Sequence, residues 1–130
     1  MSIAQSFYTY LTASSTVDAI VADRIYPEVI PDAVSGRPAL TYTQDSGEYI
    51  EHLAGRSDTR IAEFSVDCWG PTYLGVRDLA ETVQSALIGV RGTFGAHTAE
   101  SVRLTQDADG PYESDTGLYR VMLRFAVAYY

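Results

Sequence analysis

Residues 119–129 read YRVMLRFAVAY. Tyr119, Val121, Leu123, Phe125, Val127 and Tyr129 alternate with Arg120, Met122, Arg124, Ala126 and Ala128. Period two sustained this long predicts a strand with one apolar face. No other pattern in the chain runs so far. Such a strand needs neighbours along its edges and a second layer over its apolar face, and the remaining sequence has to supply both.

Working back towards the N-terminus, "AHTAESVRLTQ" (96–106) is a weaker strand. From Thr72 to Ile88 the period changes to 3.6: Val76, Leu79, Ala80, Val83 and Leu87 form one apolar stripe, while Arg77, Asp78, Glu81 and Gln84 lie on the outer face. Pro71 suits the first turn of this helix and Gly89 its end. The glycine-rich "GVRGTFG" (89–95) follows the helix and does not open one, so it is expected to connect back to the sheet. It is in the wrong place for a phosphate-cradling loop. "IAEFSVDCW" (61–69) alternates cleanly, with Ala62, Phe64, Val66 and Cys68 on one face.

Before it, "ALTYTQ" (39–44) predicts one strand and "GEYIEHL" (47–53) another, with "AGRSD" (54–58) as a turn that closes a hairpin. "DRIYPEVIPDAVSGRP" (23–38) is extended or irregular, because its prolines exclude a helix. At the N-terminus, Ser2 caps a helix carrying Ile3, Phe7, Tyr10 and Leu11. Ser15 or Thr16 caps a short turn with Val17, Ile20 and Val21 on one face. The order helix, strands, helix, strands, with short links, predicts one α+β domain over residues 1–130. Its architecture is a two-layer sandwich, a mainly antiparallel sheet with two amphipathic helices on one face.

The composition fits such a domain. The chain has 130 residues, enough to bury a core without metals or disulfides, and the single Cys68 forms no internal disulfide. A net charge of −8, with nine arginines and no lysine, argues against general affinity for nucleic acid. "MSIAQSFYTYL" lacks the basic region and continuous apolar run of a secretory leader, and no stretch is apolar enough for a membrane helix. No membrane partner is expected.

The acidic stretch "DADGPYESD" (107–115) invites comparison with a calcium loop. An EF-hand needs oxygen ligands at its first, third and fifth positions, glycine at the sixth and glutamate at the twelfth. Counting from Asp107, those last three places hold Pro111, Tyr112 and Leu118, so the stretch is read as turns in which Asp side chains bond local amides. His52, His97 and Cys68 are the only groups suited to catalysis near neutral pH. Cys68 lies on an apolar strand face, where a thiolate is disfavoured, and two histidines do not make a zinc site. No catalytic residue, metal or cofactor is expected. The ten tyrosines carry more information, since tyrosine suits surfaces buried on association. Tyr49, Tyr112, Tyr129 and Tyr130 are the candidate interface residues.

Three motifs carry a resemblance: "DRIYP" (23–27) after the N-terminal helical pair, "VDCW" (66–69) leading through "GPTY" into a helix, and "DTGLYR" (115–120) leading into "LRFAVAYY". In this order and spacing, over essentially the whole chain, the sequence resembles the tail completion or tail terminator proteins of long-tailed bacteriophages and gene transfer particles. The resemblance implies a structural virion protein, assembled in the host cytoplasm. It would form a ring with copies of itself, usually of six subunits, at the head-proximal end of the tail tube. Its implied partners are the tail tube protein, whose polymerisation it ends, and the head–tail connector protein, while DNA passes through the lumen without specific binding. The family has no catalytic residues, and "GEYIEHLAGRSD" matches a variable segment. In such a ring the last strand is expected to offer an edge to a neighbour. Two alternatives are a head completion or connector protein on the portal side, and a small ligand-binding or enzymatic α+β domain with a pocket at Phe64 and Phe125.

Overall fold

The computed structural model describes residues 2–30, 37–49 and 59–130. The elements run α1 (Ile3–Ala13), α2 (Ser15–Val21), β1 (Ile25–Pro27), β2 (Ala39–Tyr49), β3 (Arg60–Gly70), α3 (Tyr73–Leu87), β4 (Gly92–Phe94), β5 (His97–Asp109) and β6 (Tyr119–Tyr129). The fold is α+β. Its six-stranded sheet has the order β1-β2-β3-β6-β5-β4 and is mixed, because β1 pairs with β2 in parallel while the other pairings are antiparallel.

β6 is where its alternation predicts a strand, but it lies inside the sheet. It pairs along its whole length with β3, from Arg60↔Tyr129 to Gly70↔Tyr119, and with β5 on the other side. Its edges are therefore occupied, and the expected open edge belongs to other strands. Val121, Leu123, Phe125, Val127 and Tyr129 are buried, as are Ala62, Phe64, Val66 and Cys68 of β3. Phe64 and Phe125 are cross-strand partners, and Phe7 of α1 stacks on Phe64 with ring centroids 4.1 Å apart and planes 5° apart. Phe94 of β4 meets Phe7 edge-on at 6.2 Å and stacks with Tyr10 at 5.0 Å. The aromatic rings thus tie the first helix to the middle of the sheet and to its far edge.

Three helices form, one more than the two expected, because the turn at 15–21 is a full helix. Ser2 caps α1, accepting from the Gln5 N–H at 3.1 Å. Ser14, and neither Ser15 nor Thr16, caps α2. Thr72 caps α3 by accepting the Gly75 N–H at 3.2 Å, so Pro71 precedes the cap. Gly89 follows the helix end with φ +81°, the left-handed conformation glycine adopts without strain. α3 packs on β3, β5 and β6, and α1 packs on α2 and β4.

Two strands are longer than their alternation suggests. β2 continues through Asp45, where the register shifts, so "ALTYTQ" and the start of "GEYIEHL" are one strand. β5 shifts register at Glu100 and again at Thr105 and still reaches Asp109. An extra residue turns the following side chains to the other face, which hides a strand from a period-two reading. "GVRGTFG" supplies β4 as well as the connection. The predicted turn at 54–58, the rest of "GEYIEHL" and His52 lie outside the described residues. No described helix is long and apolar enough to cross a membrane.

Cys68 is fully buried; burial pushes its thiol up, and the nearby Asp67 and Asp107 add to the effect. It should not react with a thiol reagent at neutral pH until the protein is unfolded, when one equivalent should label. Phe7→Ala removes both the stack on Phe64 and the edge contact with Phe94. It should cost about 3–5 kcal/mol in a denaturant titration.

Candidate assembly surface

The motifs at 66–69 and 115–120 meet in space. Trp69 and Arg120 are cross-strand partners, and the Arg120 guanidinium carbon lies 4.9 Å from the Trp69 ring centroid. Arg120 Nη2 donates to Asp67 Oδ2 at 2.7 Å, and Trp69 Nε1 donates to Thr41 Oγ1 at 3.0 Å. By the strand alternation this cluster is on the side of the sheet away from Phe64 and Phe125. There Arg124 also pairs with Asp45 at 3.5 Å, and Ser65 donates to the same carboxylate. Arg24 of the first motif works differently. Its Nε donates to the Pro38 carbonyl at 2.8 Å and its Nη2 to that of Ile20 at 3.1 Å, so it fastens the end of α2 to the entry of β2.

The acidic stretch is built into the fold in a way its sequence does not announce. Asp107 and Asp109 belong to β5 and not to a turn, and both face α3. Arg77 bridges them, with Nη1 to Asp107 Oδ1 at 2.8 Å and Nη2 to Asp109 Oδ1 at 2.7 Å. Gln84 donates to Asp107 Oδ2 at 3.0 Å and the Tyr73 hydroxyl to Asp109 Oδ2 at 2.9 Å. Arg77 and Gln84 were expected on the outer face of the helix; their long side chains instead reach across to the strand. The hydrogen bond to Asp107 is the main reason the Arg77 pKa lies above its ordinary value, so the guanidinium stays charged at any working pH. Carboxylates already filled by an arginine, an amide and a phenol are poor calcium ligands. Among the described residues no group of three or more His, Cys, Asp or Glu side chains is arranged to hold a metal.

Above this clasp lies an apolar cluster. Tyr119 stands between Tyr112, 4.7 Å away between centroids, and Tyr73, 6.0 Å away. Leu74 beside them is 75% exposed, Tyr112 53% and Tyr73 43%. The other candidate tyrosines lie elsewhere. Tyr129 is buried in the core, its ring perpendicular to His97 at 5.2 Å. Tyr130 is partly exposed and exchanges backbone hydrogen bonds with Thr98. Tyr49 ends β2 opposite Arg60, and its side chain is outside the described part. Arg60 in turn pairs with Tyr129, so Tyr49, Tyr129 and Tyr130 share one end of the sheet while Tyr112 is at the other. Tyr73, Leu74 and Tyr119 were not singled out from the sequence. Their signal was available, because Leu74 falls off the apolar stripe of α3.

The one hydroxyl–imidazole pair among the described residues is structural. Ser6 Oγ lies 2.7 Å from His97 Nδ1 and accepts the Ala96 N–H at 3.2 Å, and Ser6 is fully buried. The contact latches α1 to the turn before β5. Gly95 in that turn has φ +60°, and a Cβ there would meet Ser6 at 2.7 Å. Phe64 and Phe125 are both fully buried, so side chains fill the space where a ligand pocket had been considered.

The family described as "Tail completion protein gp17" matches residues 5–130. The chain belongs to that family. The match covers all three motifs and all six strands, and it makes the chain a structural protein of a virion tail. A chain of the solved "Virion of native gene transfer agent (GTA) particle" is similar in fold. Its TM-score is 0.70 at 15% sequence identity, with 95% of the present chain and 90% of that chain covered. No curated protein sequence matches the chain.

Arg77→Ala should leave the fold intact and lower stability by about 1 kcal/mol, because the pairs it breaks are partly exposed. Millimolar calcium should leave the Tm of the wild-type protein unchanged; a calcium-dependent rise would overturn the clasp as the reason for the acidic pair.

Proposed function

We propose that this tail completion protein forms a ring of six copies at the head-proximal end of the tail tube. The ring ends tube polymerisation and carries the surface that joins the tail to the head connector. The observation that supports this most is the family match from residue 5 to residue 130, because it spans the whole described fold and not a fragment of it. A completion protein acts where a polymer has to stop, and a closed ring does this by meeting the tube with one face and offering the other to a different partner.

In this reading the molecule is a two-layer sandwich, with its helices on one face of the sheet. The exposed Tyr112 and Tyr73, with Leu74, are the contact residues we assign at one end of the sheet, and Tyr130, with the neighbouring Tyr49, at the other. Tyr129 supports that second end from within the core. The net charge of −8 suits a lumen through which DNA passes without being held, since phosphates are repelled. The activity is assembly, and no catalysis enters it.

The decisive experiment is electron microscopy of particles made without this protein. Overlong tail tubes lacking heads are expected. Tubes of normal length, with heads unable to join them, would assign the protein to the portal side of the connector instead. A small molecule copurifying with a monomer would favour a binding domain over both.

A further inference from the structure

The two outermost strands of the sheet are too short to cover their neighbours. β1 pairs only with Leu40–Tyr42 of β2, and the Glu28 N–H adds one bond to the Tyr42 carbonyl. β4 pairs only with His97–Ala99 of β5, and the Gly89 N–H reaches the Val102 carbonyl. Among the described residues, Thr43–Tyr49 of β2 and Arg103–Asp109 of β5 therefore have no strand on their outer sides. The two open stretches are equal in length and lie on opposite edges. Unpaired strand edges attract other strands, and proteins that leave them bare either blunt them or use them.

The geometry points to a head-to-tail contact in which the open stretch of β5 in one copy pairs with the open stretch of β2 in the next. Three observations carry this, and it rests on the ring reading above. The first is direction. β2, β3, β6 and β5 are successively antiparallel, so β2 and β5 run in opposite senses. Two copies placed side by side in the same orientation thus bring β5 and β2 together as an antiparallel pair, continuing the pattern of the sheet. Pairing β5 with β5 would also be antiparallel, but it stops at a dimer and leaves both β2 edges bare.

The second observation is charge. Arg91 and Arg103 are exposed beside the β5 edge and make no ion pair among the described residues, and a groove there is floored by Ile88, Val102 and Leu104. Asp107 and Asp109 on the same strand are already bound to Arg77. The β2 stretch carries no cation. β5 against β2 therefore sets these arginines beside a strand that adds no positive charge. The third is shape. Each open stretch contains one bulge, at Asp45 and at Thr105. Bulges bend a strand and increase its twist, which favours a curved, closing sheet over a flat stack.

The test uses two full-length variants with one added cysteine each, Thr43→Cys and Gln106→Cys. These positions occupy one row of the sheet, through Ser65 and Arg124, and so share a face. The buried Cys68 is silent. One variant carries a mass tag, the two are mixed at high concentration, and a short bismaleimide is added. The expected product is a crosslink between the two variants, several-fold above either variant alone and above a control mixture of Thr43→Cys with Asp78→Cys. Self-crosslinking of Gln106→Cys at equal yield, or no excess over the control, overturns the proposal. Native mass of the unmodified protein separates it from the ring reading. Closed rings without the 43–106 crosslink leave the ring standing and remove the edge pairing. An unlimited crosslinked ladder in a third variant that carries both Thr43→Cys and Gln106→Cys, with no closed species, removes the ring and leaves the edge pairing standing.

Discussion

The stack of Phe7 on Phe64 is the contact on which the arrangement depends. Phe64 is at the centre of β3 and opposite Phe125 of β6, so a ring laid on it sits over the middle of the sheet. Because Phe7 also meets Phe94, the same side chain sets the distance between α1 and the short strand β4. Beside it, the Ser6–His97 latch fixes the same helix to the start of β5. The N-terminal helix is therefore held by two neighbouring residues to strands that follow it by some 60 and 90 positions, and its placement is a property of the whole sheet.

Much of this was legible locally. The alternation in β3 and β6 gave both strands, and the stripe of α3 with its terminal glycine gave a helix with correct limits to within a residue or two. What was not legible is instructive. Asp45, Glu100 and Thr105 are bulge residues, and each interrupts the alternation of a strand that continues past it. β2 was read as two pieces and β5 as a shorter, weaker strand for that reason. The interior position of β6 could not be read at all, because strand order is decided by pairings between distant segments, and period two says only which face a residue occupies.

The same limit applies to the surface. Asp107 and Asp109 looked like turn residues because their neighbours are Gly and Pro; only the approach of α3 shows that they serve as anchors for Arg77. The tyrosines stand out in the sequence as a class, but their number carries no spatial information. Tyr129 is buried while Tyr112 is exposed, and Tyr73 and Leu74 enter the picture through their position at the start of a helix. The motifs that carried the family resemblance fare better. Asp67, Trp69 and Arg120 form one contact and Arg24 forms another, so these motifs have a physical role in strand pairing and helix attachment.

The interior place of β6 also has a kinetic consequence. β3 and β5 have no other common neighbour, so the sheet exists only as separate pieces until the last strand in the sequence has inserted between them. That step requires β6 to find two partners at once, one of them made some 50 residues earlier, and such non-local pairings make folding slow. Until then four strand edges lie bare where the finished sheet has two. A subunit destined for ordered assembly thus passes through a stage in which disordered association competes with completion of its own fold.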